Sequence, residues 1–183
     1  MSIRGLYGIA DSGFPTELAD QARMLERAGA CCVQLRCKGW SRERVQALVQ
    51  RLQLGVPLIV NDFGGLGDGV HRGQEDGPMP WPGLRGRSTH SLEQIDAAVA
   101  EGVDYVGFGP IFGTTTKETA LSPRGLGRLA RAVEHSPVPV VAIGGLTLET
   151  LGELMATGVS AWAPISAIHG APDPLSAARS FSR

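Results

Sequence analysis

Residues 31–52, CCVQLRCKGWSRERVQALVQRL, contain one complete strand–helix unit of a kind that recurs along this chain. The run Cys31–Arg36 predicts a short strand, and Ser41 is suited to cap a helix that continues to about Leu52. Strands that alternate with helices in this way predict βαβ units and a parallel sheet.

Eight such runs can be counted, and eight strands in one α/β chain predict a (β/α)8 TIM barrel. A doubly wound open sheet is the rival, but Ala10–Gly13 lacks the glycine-rich turn that such a sheet carries after its first strand. The connection Phe63–Gly67 is too short for a crossover helix, so shortened helices are expected around strands three to five. The predicted strands are Leu6–Ala10, Cys31–Arg36, Leu58–Asp62, Asp68–Gly73, Leu84–Thr89, Asp104–Gly109, Val138–Ile143 and Ala161–Ile168.

The composition excludes several function classes. With 183 residues and 43% hydrophobic side chains, one TIM-barrel domain over residues 1–183 is expected. A net charge of −1 without a basic run argues against nucleic-acid and membrane partners. No apolar run is long enough for a transmembrane helix, and the N-terminal residues lack the layout of a signal peptide. Three cysteines do not make a disulfide framework, so a cytoplasmic location is expected.

Polar side chains collect where the predicted strands end, which is where barrels carry their active sites. Alternation places Gln34, Arg36 and Lys38 on one face as the second strand runs out. One amide and two cations suit a phosphate ligand. The alternative is that the two cations make surface ion pairs.

Two carboxylates follow neighbouring strands. Asp62 ends the third strand and Asp76 follows the fourth. Beside cationic phosphate binders, such a pair predicts a Mg²⁺ site, because this ion takes one or two carboxylates together with phosphate oxygens. Helix capping or loop hydrogen bonding is the alternative for these carboxylates.

The later loops predict further phosphate contacts. Gly109–Lys117 combines three threonine hydroxyls with a lysine, and Gly144-Gly145 and Ile165–Ala167 follow strands seven and eight. The four histidines show no spacing typical of metal ligands. His71 and His90 are expected to be structural rather than catalytic.

These segments resemble the thiamine-phosphate synthase family, also called thiamine-phosphate pyrophosphorylase. They follow the family's order over nearly the whole chain, and jointly they are highly specific. The resembling segments are Gln34–Lys38, Asn61-Asp62, Asp68–Asp76, Ser88–Ser91, Asp104–Phe112, Thr114–Lys117, Ala142–Gly145 and Ile165–Ile168.

The resemblance implies a transferase that joins hydroxymethylpyrimidine diphosphate to thiazole phosphate and releases pyrophosphate, with Mg²⁺ as cofactor. The expected partners are these two small molecules, and a homodimer is left open. Asp62 and Asp76 would hold Mg²⁺, and Arg36, Lys38, Ser88 and Lys117 are the predicted catalytic set. The predicted substrate-binding residues are Gln34, Arg36, Lys38, Asn61, Ser88, Thr114, Thr116, Lys117, Gly145, Ile165 and Ser166.

Two other readings remain open at this point. A related thiazole tautomerase branch carries histidine where this chain has Pro110, and a paralogue could bind thiazole phosphate or thiamine phosphate without turnover. The chain also departs from the family pattern, since Cys37 stands for a usual glutamate and Arg72 for a usual leucine.

Overall fold

A computed structural model describes residues 3–74, 76–77, 82–113 and 122–182 and contains a closed barrel of eight parallel strands. Each strand pairs with the next along the chain, and the first pairs with the last to close the barrel. The predicted TIM barrel is therefore confirmed. The strands are β1 (Gly5–Asp11), β2 (Cys32–Arg36), β3 (Leu58–Asn61), β4 (Gly69–Arg72), β5 (Leu84–Thr89), β6 (Tyr105–Phe108), β7 (Val140–Ile143) and β8 (Ala161–Ala163).

Helices cover the outside of the barrel unevenly. Ser41 and Ser91 cap two of them by accepting hydrogen bonds from the backbone N–H groups of Arg44 and Gln94. No helix lies in the described chain between β3 and β4, as the short connection predicted. The helices are α1 (Leu18–Arg27), α2 (Arg42–Arg51), α3 (Leu92–Ala100), α4 (Gly125–His135), α5 (Leu148–Ala156), α6 (Ile165–His169) and α7 (Pro174–Phe181).

The eighth strand is the element for which the sequence prediction was wrong. It was expected over Ala161–Ile168, but β8 ends at Ala163 and a short helix begins at Ile165. Pro164 lies between them, and its ring nitrogen cannot donate to a strand ladder. The other strand ends coincide with the prediction or differ from it by at most two residues, which is the usual uncertainty of such boundaries.

Apolar side chains pack in two layers on either side of the strands. The inner layer fills the barrel and includes Ile59, Val141 and both tyrosines, Tyr7 and Tyr105. The outer layer joins the strands to the helices. Within the described residues, no helix is long and apolar enough to cross a membrane. The filled interior makes the barrel a packed core whose carboxyl end is free to carry a site.

Candidate active site

One pocket opens at the carboxyl ends of the strands, with a volume of about 150 Å³. Its lining comes from nearly every part of the barrel wall, including β1, β2, β3, β7 and the start of α6. Side chains from opposite walls can therefore contact one ligand. Six of the residues predicted from the sequence line it together: Gln34, Arg36, Asn61, Gly145, Ile165 and Ser166.

Arg36 is held in the pocket by a carboxylate that the sequence analysis did not single out. Asp11 pairs with it in register across β1 and β2, and the Arg36 Nη1 lies 2.6 Å from Asp11 Oδ2. Asp11 is only 2% exposed, and its other carboxylate oxygen accepts from the Gly13 backbone N–H at 2.9 Å. Both oxygens are thus engaged, and the carboxylate fixes the direction of the guanidinium.

Two amides and a tyrosine form the next part of the wall. Tyr7 donates its hydroxyl proton to Gln34 Oε1 at 2.8 Å, and Gln34 Nε2 donates to Asn61 Oδ1 at 2.8 Å. Burial raises the pKa of the Tyr7 hydroxyl well above its usual value, so Tyr7 keeps its proton at neutral pH. The two amides are therefore oriented before any ligand arrives.

His71 and Ser88 lie on the next two strands. His71 lines the pocket, its Nε2 lies 3.0 Å from Ser88 Oγ, and its Nδ1 lies 3.1 Å from the Tyr105 hydroxyl. The histidine spacing did not predict a place for His71 in the site. The signal that could have found it is strand alternation, because Tyr7, Ile9 and Asp11 all point inward at every second position of β1.

The predicted acidic pair lies at the rim. Asp62 is 38% exposed and Asp76 is 35% exposed, and neither is among the residues that line the pocket. Arg72 connects them: its Nη1 donates to the Asp62 carbonyl at 3.3 Å, and its Nε lies 3.7 Å from Asp76 Oδ2. Arg72 therefore links the backbone of Asp62 to the side chain of Asp76, and both carboxylates are partly open to solvent.

These acidic residues fit a magnesium ion only as part of a larger ligand set. Within the described residues, no group of three histidine, cysteine or acidic side chains could hold a metal. Two exposed carboxylates leave coordination positions for water and phosphate oxygens, which is the arrangement that Mg²⁺ prefers. The chemistry of the pair therefore suits an ion that is shared with a phosphorylated ligand.

Lys38 differs from its predicted position. It lies two residues beyond the end of β2, where strand alternation no longer applies, and its side chain is 57% exposed. Its Nζ lies 3.3 Å from Asp62 Oδ2, so it belongs to the rim together with the acidic pair. The surface ion pair weighed as an alternative for Lys38 is present, and for Arg36 the pair with Asp11 is buried within the pocket wall.

The opposite wall is built from a tight approach of two loops. Gly144 and Gly145 both have positive φ, of 98° and 67°. A Cβ at Gly144 would come within 2.6 Å of Pro110 Cβ, and one at Gly145 would overlap the carbonyl oxygen of Gly113. Only glycine lets this turn follow β7 so closely. The predicted ligands Thr114, Thr116 and Lys117 lie outside the described residues.

Two further histidines contact the backbone near the pocket. His90 lines the pocket and its Nδ1 is hydrogen-bonded to the Gly109 carbonyl. His169 Nε2 donates to the Ile9 carbonyl at 2.8 Å. Burial lowers the pKa of His169, because the neutral ring is favoured in this surrounding. These contacts are consistent with the structural role expected for His90.

Comparison with known proteins agrees with this geometry. The family model described as thiamine monophosphate synthase matches residues 6–168. Thiamine-phosphate synthase of Anaeromyxobacter dehalogenans is 40% identical over 95% of this chain and 84% of its own length, and that of Chloroflexus aurantiacus is 38% identical over 95% and 89%. Thiamine phosphate pyrophosphorylase from Pyrococcus furiosus superposes with a TM-score of 0.82 at 30% identity, covering 98% of this chain and 94% of that one. A 3-hexulose-6-phosphate synthase, with a TM-score of 0.70 and 17% identity, shares the fold alone. By sequence and by structure, this chain belongs to the thiamine monophosphate synthase family.

Proposed function

We propose that this chain is a thiamine-phosphate synthase. It transfers the hydroxymethylpyrimidine group from its diphosphate to thiazole phosphate. The bond between the methylene carbon and the diphosphate oxygen breaks, and a bond from that carbon to the thiazole nitrogen forms. The observation that carries the proposal is a single pocket between an arginine–amide wall and a glycine–serine wall, which gives two ligands adjoining places.

The arginine–amide wall suits the pyrimidine diphosphate. Arg36 is pointed by a buried carboxylate, and its remaining N–H groups can meet phosphate oxygens. Gln34 and Asn61 are oriented polar groups for a ring with hydrogen-bonding edges. Lys38 at the rim adds an exposed positive charge, and Lys117 is proposed to add a second positive charge.

Asp62 and Asp76 are the proposed ligands of Mg²⁺. When bound, the ion would neutralise charge on the leaving diphosphate. The ion pair of Lys38 with Asp62 supports this role, because the lysine keeps the carboxylate compensated while no cation is bound. The guanidinium of Arg72 does the same for Asp76.

The glycine–serine wall suits the thiazole phosphate. Gly145, Ile165 and Ser166 line this side of the pocket, in the loops after strands seven and eight where barrels commonly bind phosphate. Thr114 and Thr116 are proposed to complete the contact. The two phosphorylated ligands would then approach each other across the pocket with their reacting atoms between the walls.

The side chains present match a reaction that needs little acid–base help. The aminopyrimidine stabilises positive charge on its methylene carbon once diphosphate leaves, so the protein must bind, orient and neutralise charge. Arg36 supplies charge and Gln34 supplies orientation. The thiazole nitrogen attacks with its own lone pair, so no strong base is required from the protein.

The enzyme is proposed to act in the cytoplasm as one domain. Its three cysteines are all free thiols, which is typical of a reducing compartment. A homodimer is compatible with this arrangement, and sedimentation or light scattering would measure it.

The direct test mixes the purified chain with both phosphorylated precursors and Mg²⁺. Mass spectrometry should detect thiamine phosphate, and a coupled assay should detect pyrophosphate. Arg36→Ala should lower the rate strongly, whereas Arg23→Ala, which removes an exposed arginine of α1, should not. Binding of both precursors without any product would contradict the proposal and indicate a non-catalytic binding protein.

A further inference from the structure

Six polar side chains on six consecutive strands form one continuous hydrogen-bonded chain across the barrel, which we call the relay. It begins at an amide on β3 and ends at a hydroxyl on β5. Its central link is a contact of 2.7 Å between the hydroxyls of two buried tyrosines. In order, the members of the relay are Asn61, Gln34, Tyr7, Tyr105, His71 and Ser88.

The direction of every proton in the relay follows from its amide end. Gln34 Oε1 can only accept, so Tyr7 donates its hydroxyl proton to it. Tyr7 has then no proton left for its neighbour, and Tyr105 must donate to Tyr7. Because Tyr105 donates its proton to Tyr7, its oxygen can only accept in the contact with His71, so His71 Nδ1 must carry the hydrogen. A neutral imidazole protonated at Nδ1 has a lone pair at Nε2, and Ser88 donates to it.

The barrel makes specific room for the centre of the relay. Gly86 on β5 lies against it, and a Cβ there would overlap the ring and hydroxyl of Tyr105 and come within 2.6 Å of His71 Nδ1. A Cβ at Gly107 on β6 would lie 3.4 Å from His71 Cε1, which is an ordinary van der Waals contact. The tyrosine and histidine therefore fill space that β5 leaves by carrying glycine at position 86, and this packing restricts both rings.

We propose that Tyr7 and Tyr105 are positioning residues that fix His71 as the tautomer protonated on Nδ1. Ser88 then donates its hydroxyl proton to His71, and its oxygen lone pairs can accept a hydrogen bond from an N–H group of a ligand. The relay thereby selects an amino group over a carbonyl oxygen at this place. This inference rests on the proposed function and adds to it that Ser88, one of the predicted substrate-binding residues, accepts from the amino group of the pyrimidine ring.

The hydrogen bonds of the relay could run in only one other direction. If the amides of Gln34 and Asn61 were both turned by 180°, every proton in the relay would reverse. His71 would then carry its proton on Nε2, and the Ser88 hydroxyl would be available to donate to a ligand. The two arrangements differ in an observable property of one residue, the nitrogen of His71 that bears hydrogen.

The first experiment measures that nitrogen directly. Protein labelled with ¹⁵N-histidine is studied by NMR without ligand, at the pH of the activity assay, and His71→Gln identifies the resonances. We expect the shift pattern of an imidazole protonated at Nδ1 alone. A proton on Nε2, alone or together with Nδ1, would overturn the inference. Because no substrate is present, this result is independent of whether the chain makes thiamine phosphate.

The second experiment tests whether the tyrosine acts through the serine. Tyr105→Phe keeps the ring and removes the acceptor for His71, and it should lower kcat/KM for the pyrimidine diphosphate by about tenfold. In a Ser88→Ala background the same change should cost less than about twofold. Equal losses in both backgrounds would overturn the inference, because they would indicate a merely structural tyrosine.

A matched control separates the relay from loss of any buried hydroxyl. Thr89 follows Ser88 on β5, is fully buried, and donates to the Gly107 carbonyl at 3.0 Å outside the relay. Thr89→Val should leave kcat/KM within about twofold of the parent. A loss as large as that of Tyr105→Phe would contradict the assignment.

Discussion

Replacing Asp11 by asparagine tests how Arg36 is held. Asp11 Oδ1 accepts from the Gly13 N–H, so an asparagine keeps its oxygen there and turns its NH₂ group toward Arg36. A donor then faces a donor across a distance that is now 2.6 Å. Both the ion pair and the hydrogen bond are lost, and Arg36 is left partly buried without its counter-charge.

The magnitude follows from the burial of the two partners. Breaking a fully buried ion pair costs about 3–5 kcal/mol. The side chain of Arg36 is 20% exposed while that of Asp11 is 2% exposed, so solvent compensates part of the arginine charge. We expect a loss of about 2 kcal/mol in the free energy of unfolding. The affinity for the pyrimidine diphosphate should also fall. Without the Asp11 carboxylate the Arg36 guanidinium is no longer oriented in advance, so it must be ordered when the diphosphate binds.

The assay is urea denaturation followed by tryptophan fluorescence, together with steady-state kinetics. Asp20→Asn is the matched control, since the pair of Asp20 with Arg23 spans 3.5 Å at 68% and 51% exposure. It should lose less than about 0.5 kcal/mol. If Asp11→Asn were as stable as the parent and bound the diphosphate as tightly, the proposed role of Asp11 would be refuted.

Three further predictions concern the rim, the tight turn and pH. Arg72→Leu removes a cation 3.7 Å from Asp76 Oδ2, so the Mg²⁺ concentration for half-maximal rate should fall about threefold; an unchanged value would argue against a metal at Asp76. Gly145→Ala places a Cβ against Gly113 and should raise KM for thiazole phosphate more than tenfold, whereas Gly152→Ala, in open space on α5, should be neutral or stabilising. Burial lowers the pKa of His169 in the folded chain, so its contribution to stability is complete above the unfolded pKa of about 6.5 and declines as pH falls below it. Between about pH 7.5 and pH 5.5, the Tm of His169→Gln should therefore fall less than the Tm of the parent. An equal decrease of Tm in both proteins would contradict the assignment.

The fold could be predicted because its signal is repeated. Eight apolar strand runs, most of them followed by a helical stretch, indicate the barrel, and capping serines such as Ser41 mark where helices begin. The failure at the end of β8 has a local cause. Ile165–Ile168 is apolar like a strand, but Pro164 ends the ladder, and the chain turns into α6 at once. Apolar runs alone do not distinguish a buried strand from a short buried helix.

Strand alternation and strand ends located some of the pocket residues from the sequence. The residues that reach the pocket wall through tertiary contacts were missed. Gln34 and Arg36 line the pocket because β2 is regular up to its last residue. Lys38 lies past that end, and its ammonium group lies 3.3 Å from the carboxylate of Asp62. Tyr7 and His71 resemble ordinary core residues in sequence. Only closure of the barrel brings them into one hydrogen-bonded chain, and the sequence carries no local signal of that contact.

The most direct test of the central claim is the product balance of the reaction. Equal amounts of the two phosphorylated precursors are incubated with the chain and Mg²⁺, and thiamine phosphate and pyrophosphate are measured over time. Both products should appear in a one-to-one ratio, and removal of Mg²⁺ by a chelator should stop the formation of both together. Formation of neither product, with both precursors still bound, would contradict it.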